Sequence, residues 1–246
     1  MKILVGISKA PDTTAKIKFT NDNKEFDESG VQFIVNPYDE WYALVRGIEI
    51  KEAQGGSVTT ITVGKEDVDP IIRKALAVGA DDAVRIDSEP KDAFHVASQI
   101  ANYAKENDFD MVLLGKETIN YNGSQVGGMV AEIMDLPYIS NASKMDLDGN
   151  KATIVRDIQG GKETLEVETP FVLSAAKGMA EQRIPNMRGI MAARSKKLEV
   201  VEPVDAEELT EVVSYALPPE KGDVKLVDPE NVEELVELLH KEAKVI

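Results

Sequence analysis

The sequence contains no cysteine and only two histidines, and these shortages exclude several kinds of chemistry. Without cysteine the chain forms no disulfide, no thiolate-bound zinc site and no iron–sulfur cluster, and it has no thiol nucleophile. His95 and His240 supply too few imidazoles for a multi-histidine metal site or for a serine–histidine catalytic pair. Any redox chemistry would therefore need an organic cofactor.

Basic residues are also scarce, because 28 lysines and arginines face 44 acidic residues, for a formal charge of −16. That sign is wrong for binding the phosphate backbone of nucleic acid or an anionic lipid surface, so we expect neither partner. The sequence shows no run of about 18 apolar residues and no basic leader followed by a long apolar run, which favours a cytoplasmic protein that is not integral to a membrane. A hydrophobic content of 43 % is enough for a substantial core.

Short apolar runs alternate with amphipathic segments through the first half of the chain. The predicted strands cover residues 2–8, 57–63, 83–86 and 110–115. The predicted helices run from Asn36-Pro37 to Gly55, from Asp69-Pro70 to Gly79, over 92–107 and over 124–134, with Asn36 as the cap of the first. Strands that alternate with helices predict an α/β fold, doubly wound around a mainly parallel sheet.

The pattern changes after Pro137. The turn pairs Asp148-Gly149 and Gly160-Gly161 separate extended stretches and predict an antiparallel hairpin region. We expect residues 1–200 to form a nucleotide-binding α/β domain, within which residues 178–198 form an irregular arm that contains a helix.

Residues 201–246 are predicted to form an extended C-terminal arm outside the core. They include thirteen acidic and four basic residues, a net charge of −9. A helix is expected from Asp228-Pro229, with Val232, Leu235 and Val236 on one apolar face. This face could pack on the chain's own domain or on a partner chain, and the sequence leaves both alternatives open.

Candidate ligand sites follow from the rule that parallel sheets bind ligands beyond the carboxyl ends of their strands. The predicted ends are Gly6, Val63 and Gly115. The loop after Gly115 is the best phosphate site, because Gly123-Ser124 opens a helix and Gly127-Gly128 allow close backbone approach. The alternative is that these glycines only shape a turn and let helix and strand pack closely. Neither GxGxxG nor GxxxxGK[ST] occurs, so ordinary dehydrogenase and P-loop interpretations lack their fingerprints.

Five basic residues and no acidic residue lie between Arg183 and Lys197. Apolar side chains alternate with them, at Ile184, Met187, Ile190 and Met191. One interpretation is a solvated basic face. The other is a surface that docks acidic partner proteins, since charge steers the encounter and methionine adapts its packing.

The residues of the predicted phosphate loop point to a known family. Residues 113–127, Leu-Leu-Gly-Lys-Glu-Thr-Ile-Asn-Tyr-Asn-Gly-Ser-Gln-Val-Gly, together with Leu136-Pro137, resemble the nucleotide loop of the electron transfer flavoprotein beta subunit. Further stretches agree in order and spacing, namely 2–12, Asn36-Pro37-Tyr38, 73–81, Arg156-Asp157 and 181–191. The resemblance extends over almost the whole chain.

This resemblance implies a heterodimer in which an alpha subunit holds most of the redox FAD and the beta subunit binds AMP as a structural nucleotide. The implied cofactor-binding residues of this chain are Gly6, Asn36, Pro37, Tyr38, Asp39, Val63, Gly115, Lys116, Glu117, Thr118, Ile119, Asn120, Tyr121, Asn122, Gly123, Ser124, Gln125 and Val126. Such a chain would be an electron carrier subunit and not an enzyme.

The resemblance also implies partners. Electrons would come from flavin-dependent dehydrogenases such as acyl-CoA dehydrogenase, as in fatty acid beta-oxidation, and would leave for a membrane quinone oxidoreductase or another acceptor. The implied partner-binding residues are Arg183, Ile184, Met187, Arg188, Ile190 and Met191, with Met187 as the apolar anchor. Asp157 matches an acidic residue that positions the mobile flavin domain.

Two alternatives stay open at this stage. An electron-bifurcating relative would bind a second FAD in place of AMP and oxidise NADH. A bulky Tyr121 beside the phosphate loop favours AMP, because it would leave less room for a diphosphate and a flavin. A universal-stress-type protein would share the alternating fold and bind ATP without a partner.

Overall fold

The computed structural model describes residues 1–220 and 222–246. In these residues the helices are α1 (Asp39–Gln54), α2 (Asp69–Val78), α3 (Ala93–Glu106), α4 (Val126–Met134), α5 (Met187–Ala193) and α6 (Val232–Glu237). The strands are β1 (Lys2–Gly6), β2 (Lys9–Pro11), β3 (Phe19–Thr20), β4 (Glu25–Phe26), β5 (Phe33–Val35), β6 (Ser57–Val63), β7 (Asp82–Ile86), β8 (Met111–Gly115), β9 (Tyr138–Asp148), β10 (Lys151–Ile158), β11 (Gly161–Glu168), β12 (Phe171–Ala175) and β13 (Leu198–Val201).

Nine of these strands form one sheet in the order β11-β10-β9-β12-β8-β1-β6-β7-β13. From β9 to β13 the neighbouring strands pair in parallel, and β10 pairs antiparallel with β9 and β11. The chain proceeds from β1 outward through β6 and β7, then returns to β8 on the other side of β1. The predicted doubly wound, mainly parallel sheet with an antiparallel hairpin region is confirmed.

Both faces of the sheet are covered by helices, which explains why the central strands are continuous apolar runs. Along β1, Ile3 and Val5 point into the core that includes residues of α1 and α2, whereas Leu4 points into the core that includes residues of α3 and α4. All three side chains are 0 % exposed. Successive side chains of a strand point to opposite faces, so both sets of side chains in a strand between two helical layers are buried.

The strand β9 is irregular at its middle, where its pairing passes from β12 to β10, and its second half contacts α1. The guanidinium of Arg46, in the middle of α1, donates to the carbonyl of Met145, and Gln54 Nε2, at the end of α1, donates to the carbonyl of Leu147 at 2.6 Å. The irregularity coincides with Asn141, whose φ is +57°. The hairpin region therefore extends the sheet and also contacts α1.

The sequence analysis assigned no element to residues 171–175, which form β12. The stretch directly after Gly161 is antiparallel as expected, whereas β12 lies inside the sheet, parallel to both β8 and β9. Its five residues are all buried, as in the other central strands. The short apolar run Phe171–Ala175 is thus a fifth buried parallel strand, and its carboxyl end adds a fourth segment to the ligand-binding edge.

The C-terminal segment begins as β13 at the outer edge of the sheet and then leaves it. The side-chain amide of Gln99 donates to Val204 O and accepts from Val204 N–H, each at 2.8 Å, and the carboxylate of Asp92 accepts the amides of Leu209 and Thr210 at 2.7 and 2.9 Å. The ring of Tyr215 stacks on Phe19 at 4.8 Å. We call residues 202–215 the strap.

Beyond the strap, the chain makes few contacts with the domain. Among the described residues, no hydrogen bond or ion pair connects residues 216–246 with the rest of the chain. The helix α6 begins at Val232, after the cap Asn231, and not at Asp228-Pro229 as predicted. Its apolar side chains are exposed, so the alternative that this face packs on its own domain is wrong.

The described residues include no helix that is both long enough and apolar enough to cross a membrane.

Candidate functional site

The candidate site is a cleft at the carboxyl edge of the sheet, beside the point where the strand order reverses between β1 and β8. Open α/β sheets bind ligands at this point, because loops from the two halves diverge there. The cleft has a volume of about 210 Å³. Its lining residues come from the turn before α1, from the loop after β8 and from the end of β12, and they are Pro37, Tyr38, Asp39, Lys116, Glu117, Ile119, Asn122 and Lys177.

Asn36 connects two walls of the cleft. Its side chain is fully buried; Nδ2 donates to Glu117 O at 3.2 Å and Oδ1 accepts the Ile119 amide at 3.0 Å. Its own amide donates to Ser8 O at 3.0 Å. The prediction that Asn36 caps α1 is wrong. Its side chain forms its hydrogen bonds with the backbone of the loop after β8, and the helix begins three residues later. Asn36 therefore holds the loop and does not line the cleft.

The turn before α1 has an unusual backbone. Tyr38, at the cap position, has φ +67° and ψ −105°, a combination that a residue with a Cβ rarely adopts. Such outliers persist only where the surroundings hold them, and they occur preferentially at ligand sites. The next residue, Asp39, lines the cleft, and burial raises the pKa of its carboxyl group.

The loop after β8 supplies polar groups of both signs. Lys116 Nζ lies 2.8 Å from a carboxylate oxygen of Glu117, and the Ser124 hydroxyl donates to the other Glu117 oxygen at 3.2 Å. Because of this pairing, the pKa of Lys116 is raised and the pKa of Glu117 is lowered. The two charges largely neutralise each other, so the ligand-binding capacity of the loop depends more on its backbone.

The backbone before α4 has free donors. The Asn122 amide donates to Thr118 O at 2.9 Å, whereas the amides of Gly123, Ser124 and Gln125 make no hydrogen bond with any residue that the structure describes. Ser124 has φ +52° and Gln125 is in the right-handed region, a succession that turns neighbouring amides into a concave anion site. The residues present therefore fit a phosphate group.

Two of the glycines have a structural explanation instead. A Cβ at Gly127 would lie 2.8 Å from the Tyr138 hydroxyl, and one at Gly128 would lie 3.5 Å from the same ring. These glycines let α4 pack against β9, which favours the structural alternative over ligand approach for this pair. By contrast, a Cβ at Gly123 would meet nothing within 4 Å. The predicted helix start at Ser124 is displaced to Val126.

The structure brings seven of the predicted cofactor-binding residues to the cleft and leaves the others outside its lining. Those outside are Gly6, Asn36, Val63, Gly115, Thr118, Asn120, Tyr121, Gly123, Ser124, Gln125 and Val126. Gly6 and Gly115 end the two strands beneath the cleft, and Val63 ends β6 on the far side of β1. Tyr121 is 70 % exposed and does not narrow the cleft, so the steric argument based on it fails.

Sequence reasoning missed Lys177 and Glu40. Lys177 follows β12 by two residues, and the rule that ligands lie beyond parallel strands would have found it had β12 been recognised as parallel. Glu40 lies in the first turn of α1, where acidic residues are common for reasons of helix polarity alone. Its side chain is buried, and both of its oxygens accept hydrogen bonds from Ser8 at 2.8 Å. The sequence carries no signal for that burial.

The arm at residues 178–198 presents apolar side chains to solvent. Met187 is 74 % exposed and Ile184 79 % exposed, at and just before the short helix α5. Ile190 and Met191 are exposed as well. Scattered exposed apolar residues are ordinary, but four of them within eight residues form a patch of the kind found at protein interfaces.

The base of the arm is tied to the domain. Arg183 forms a two-point ion pair with Glu52 at 2.7 and 2.9 Å, and Lys196 Nζ donates to the carbonyls of Leu76 and Ala80 at the end of α2. A Cβ at Gly189 would collide with the carbonyl of Ala77, so only glycine lets α5 lie this close to α2.

The five basic residues of the arm therefore do not form one uniform basic face. Lys197 also has a partner, Glu199, at 2.6 Å. Arg188 and Arg194 are exposed and have no ion-pair partner among the described residues. The positive charge that remains available to another protein is concentrated at these two arginines.

Asp157 lies near the end of β10, where the hairpin region returns to the carboxyl edge of the sheet. Its neighbour Arg156 is in register with Ala142, and Ala142 is in register with Ala175 at the end of β12. The Asp157 side chain is 45 % exposed and lies 3.6 Å from Lys162 Nζ. It stands on the same edge as the cleft, three strands away from β8.

Comparison with known proteins identifies the family. The family model described as the electron transfer flavoprotein domain matches residues 24–206. The chain is 35 % identical to the electron transfer flavoprotein subunit beta of Bacillus subtilis (strain 168), with 100 % of both chains covered. It is 33 % identical to the subunit beta of Syntrophomonas wolfei, over 94 % of this chain and 92 % of the relative, and 32 % identical to that of Homo sapiens, over 100 % and 99 %. The chain belongs to the electron transfer flavoprotein family and corresponds to its beta subunit.

Proposed function

We propose that this chain is the beta half of a heterodimeric electron carrier, in which it binds AMP as a structural nucleotide and docks electron-donating flavoproteins. FAD, held mainly by an alpha subunit, supplies the redox chemistry when bound. The contribution of this chain is to hold the nucleotide, to support the partner subunit and to present the docking surface.

The assignment of AMP rests on the cleft at the strand-order reversal. Free amides at Gly123, Ser124 and Gln125 fit a phosphate, and the turn at Pro37–Asp39 provides the opposite wall for an adenosine.

The arm supports the assignment of docking. Met187 and its apolar neighbours are exposed on a base that Arg183 and Lys196 fix to the domain. An anchor of this kind inserts into an apolar pocket, while Arg188 and Arg194 attract an acidic rim. The proteins proposed to dock on the arm are flavin-dependent dehydrogenases, of which acyl-CoA dehydrogenases are the first candidates. A quinone-linked or other acceptor receives the electrons.

Asp157 is proposed to bias the position of the flavin-bearing part of the alpha subunit. Its carboxylate is half exposed at the carboxyl edge, and its ion pair with Lys162 is long enough to be exchanged for a stronger partner. An arginine of the alpha subunit would be such a partner, because a guanidinium binds a carboxylate through two parallel hydrogen bonds.

The decisive experiment is to co-express this chain with its alpha subunit and to identify the nucleotides that the purified complex releases on denaturation. One FAD and one AMP for each heterodimer is the expected result. Two FAD would instead establish the bifurcating type, which oxidises NADH. A colourless protein that releases ATP and binds no second chain would contradict the proposal.

A further inference from the structure

One carboxyl group lies beneath the cleft without a basic partner. Glu40 directly follows the cleft-lining residue Asp39, and its side chain is buried. One of its oxygens accepts the Ser8 amide and the other accepts the Ser8 hydroxyl, both at 2.8 Å. No lysine, arginine or histidine among the described residues forms an ion pair with Glu40. A buried carboxylate without a countercharge is costly, so its ionisation is easily altered.

Glu40 is part of the floor of the candidate site. A Cβ at Gly115 would lie 2.8 Å from both Cγ and the amide nitrogen of Glu40, so the end of β8 rests directly on this residue. Ser8 belongs to the segment that follows β1. The Glu40 carboxyl group therefore connects the ends of the two strands that flank the strand-order reversal with the first turn of α1.

The charged groups around Glu40 do not neutralise it. Asp39, its neighbour on α1, adds negative charge. Lys9, after β1, is engaged by Asp67 and Glu28, and Lys116, after β8, is paired with Glu117. From the end of β12, Lys177 lines the cleft above. Burial, reinforced by Asp39, raises the pKa of Glu40 to about 7 in spite of the hydrogen bonds from Ser8.

We propose that Glu40 makes nucleotide binding in the cleft proton-linked, so that an anionic adenylate and a proton on Glu40 bind together. The proposal rests on the proposed function, because it takes the cleft as the adenylate site. The proton comes from solvent and forms an O–H bond on the carboxylate. The neutral acid keeps both contacts with Ser8, since the amide still donates to one oxygen and the new O–H donates to the hydroxyl. Binding thus removes one negative charge from the floor of the cleft that takes the anionic ligand.

The test measures AMP affinity and proton uptake of the full chain by calorimetry between pH 6 and pH 8, in buffers of different ionisation enthalpy. Glu40→Gln is the informative variant, and Glu106→Gln, an exposed change on α3, is the matched control. The second pKa of the phosphate of free AMP is about 6 and is the same in every titration, so the wild-type affinity is read relative to Glu40→Gln. We expect this relative affinity to fall about fivefold to tenfold as the pH rises from 6 to 8.

The wild-type protein and Glu106→Gln should take up additional protons on binding AMP near pH 7, and Glu40→Gln should not. Adenosine, which lacks the phosphate, should show little proton uptake with any of the three proteins. A carbon-13 NMR titration of the wild-type Glu40 carboxyl group, with and without AMP, gives the same answer without a variant and should show a pKa that rises on binding.

Equal pH dependence of wild type and Glu40→Gln, or an unchanged Glu40 titration, overturns the role of Glu40 while leaving the AMP site intact. Failure of AMP to bind either protein overturns the AMP site and, with it, the role of Glu40.

Discussion

The carboxyl edge of the sheet and the C-terminal segment 216–246 are two regions of the same chain that are built in opposite ways. At the edge, most polar side chains have a partner within the chain, and Asn36 alone satisfies a donor and an acceptor of the loop after β8. In the segment, apolar side chains are exposed to solvent, and Leu226, for example, is 89 % exposed. The edge therefore makes its contacts within the chain, whereas the segment leaves apolar side chains exposed to solvent.

Deleting residues 216–246 should have the largest effect of the three changes. It removes the C-terminal segment and leaves the carboxyl edge in place. The shortened chain should keep its melting temperature within about 2 °C, because the described part of the segment makes no hydrogen bond or ion pair with the domain. If the exposed apolar face of α6 binds the alpha subunit, as the sequence predicts, co-purification with that subunit should be lost.

Lys241→Ala, which removes only an ion pair within this segment, is the control and should leave assembly unchanged. A shortened chain that still assembles with full affinity would show that the partner binds elsewhere.

Met187→Asp should have the next largest effect, and it addresses the arm. In the complex, partner-driven flavin reduction should be abolished, since a carboxylate cannot enter an apolar pocket without a large desolvation cost. FAD content and thermal stability should not change, because Met187 is 74 % exposed. Stopped-flow reduction by a partner dehydrogenase provides the measurement.

Val213→Asp places the same charge at an equally exposed site, 77 % exposed, on the strap, and its reduction kinetics should equal those of the wild type. Unchanged kinetics in Met187→Asp would refute the anchor role.

Asn36→Ala should have the smallest of the three effects, and it tests the loop after β8 at the carboxyl edge of the sheet. The change removes two hydrogen bonds and leaves the Ile119 amide without its acceptor, which costs about 2–3 kcal/mol of unfolding free energy. AMP affinity should fall by roughly tenfold, because the loop after β8 loses its fixed position. Denaturant unfolding and AMP titration measure the two consequences.

Asn102→Ala, which removes one local hydrogen bond to Ser98 O, should cost no more than about 1 kcal/mol and leave AMP binding intact. If both variants behaved alike, the cross-loop role of Asn36 would be wrong.

Much of the fold was predictable because local patterns and tertiary structure agree. The strand Ser57–Val63 and the helix Asp69–Val78 lie where their apolar runs and Pro70 place them. The two turns at Gly149 and Gly160 separate β9, β10 and β11 as expected. Each of these elements is specified by residues within its own limits, so no knowledge of the rest of the chain is required.

The features that the sequence did not predict share a different cause. Asn36 has the local signature of a helix cap, yet its side chain is used 81 and 83 residues away in the chain. The second half of β9 contacts α1, and the burial of Glu40 depends on Gly115 and Ser8. Such contacts arise only when distant segments meet, and a local pattern contains no information about which segment will be the neighbour.

The strap has a mechanical consequence for the assembled protein. Asp92, the cap of α3, and Gln99, in the middle of α3, hold the strap. The strap continues directly into residues 216–246. A pull exerted through residues 216–246 would therefore load four hydrogen bonds between the strap backbone and the side chains of Asp92 and Gln99 before it reached the pairing of β13 with β7. The strap thus protects the outermost strand of the sheet from such a load.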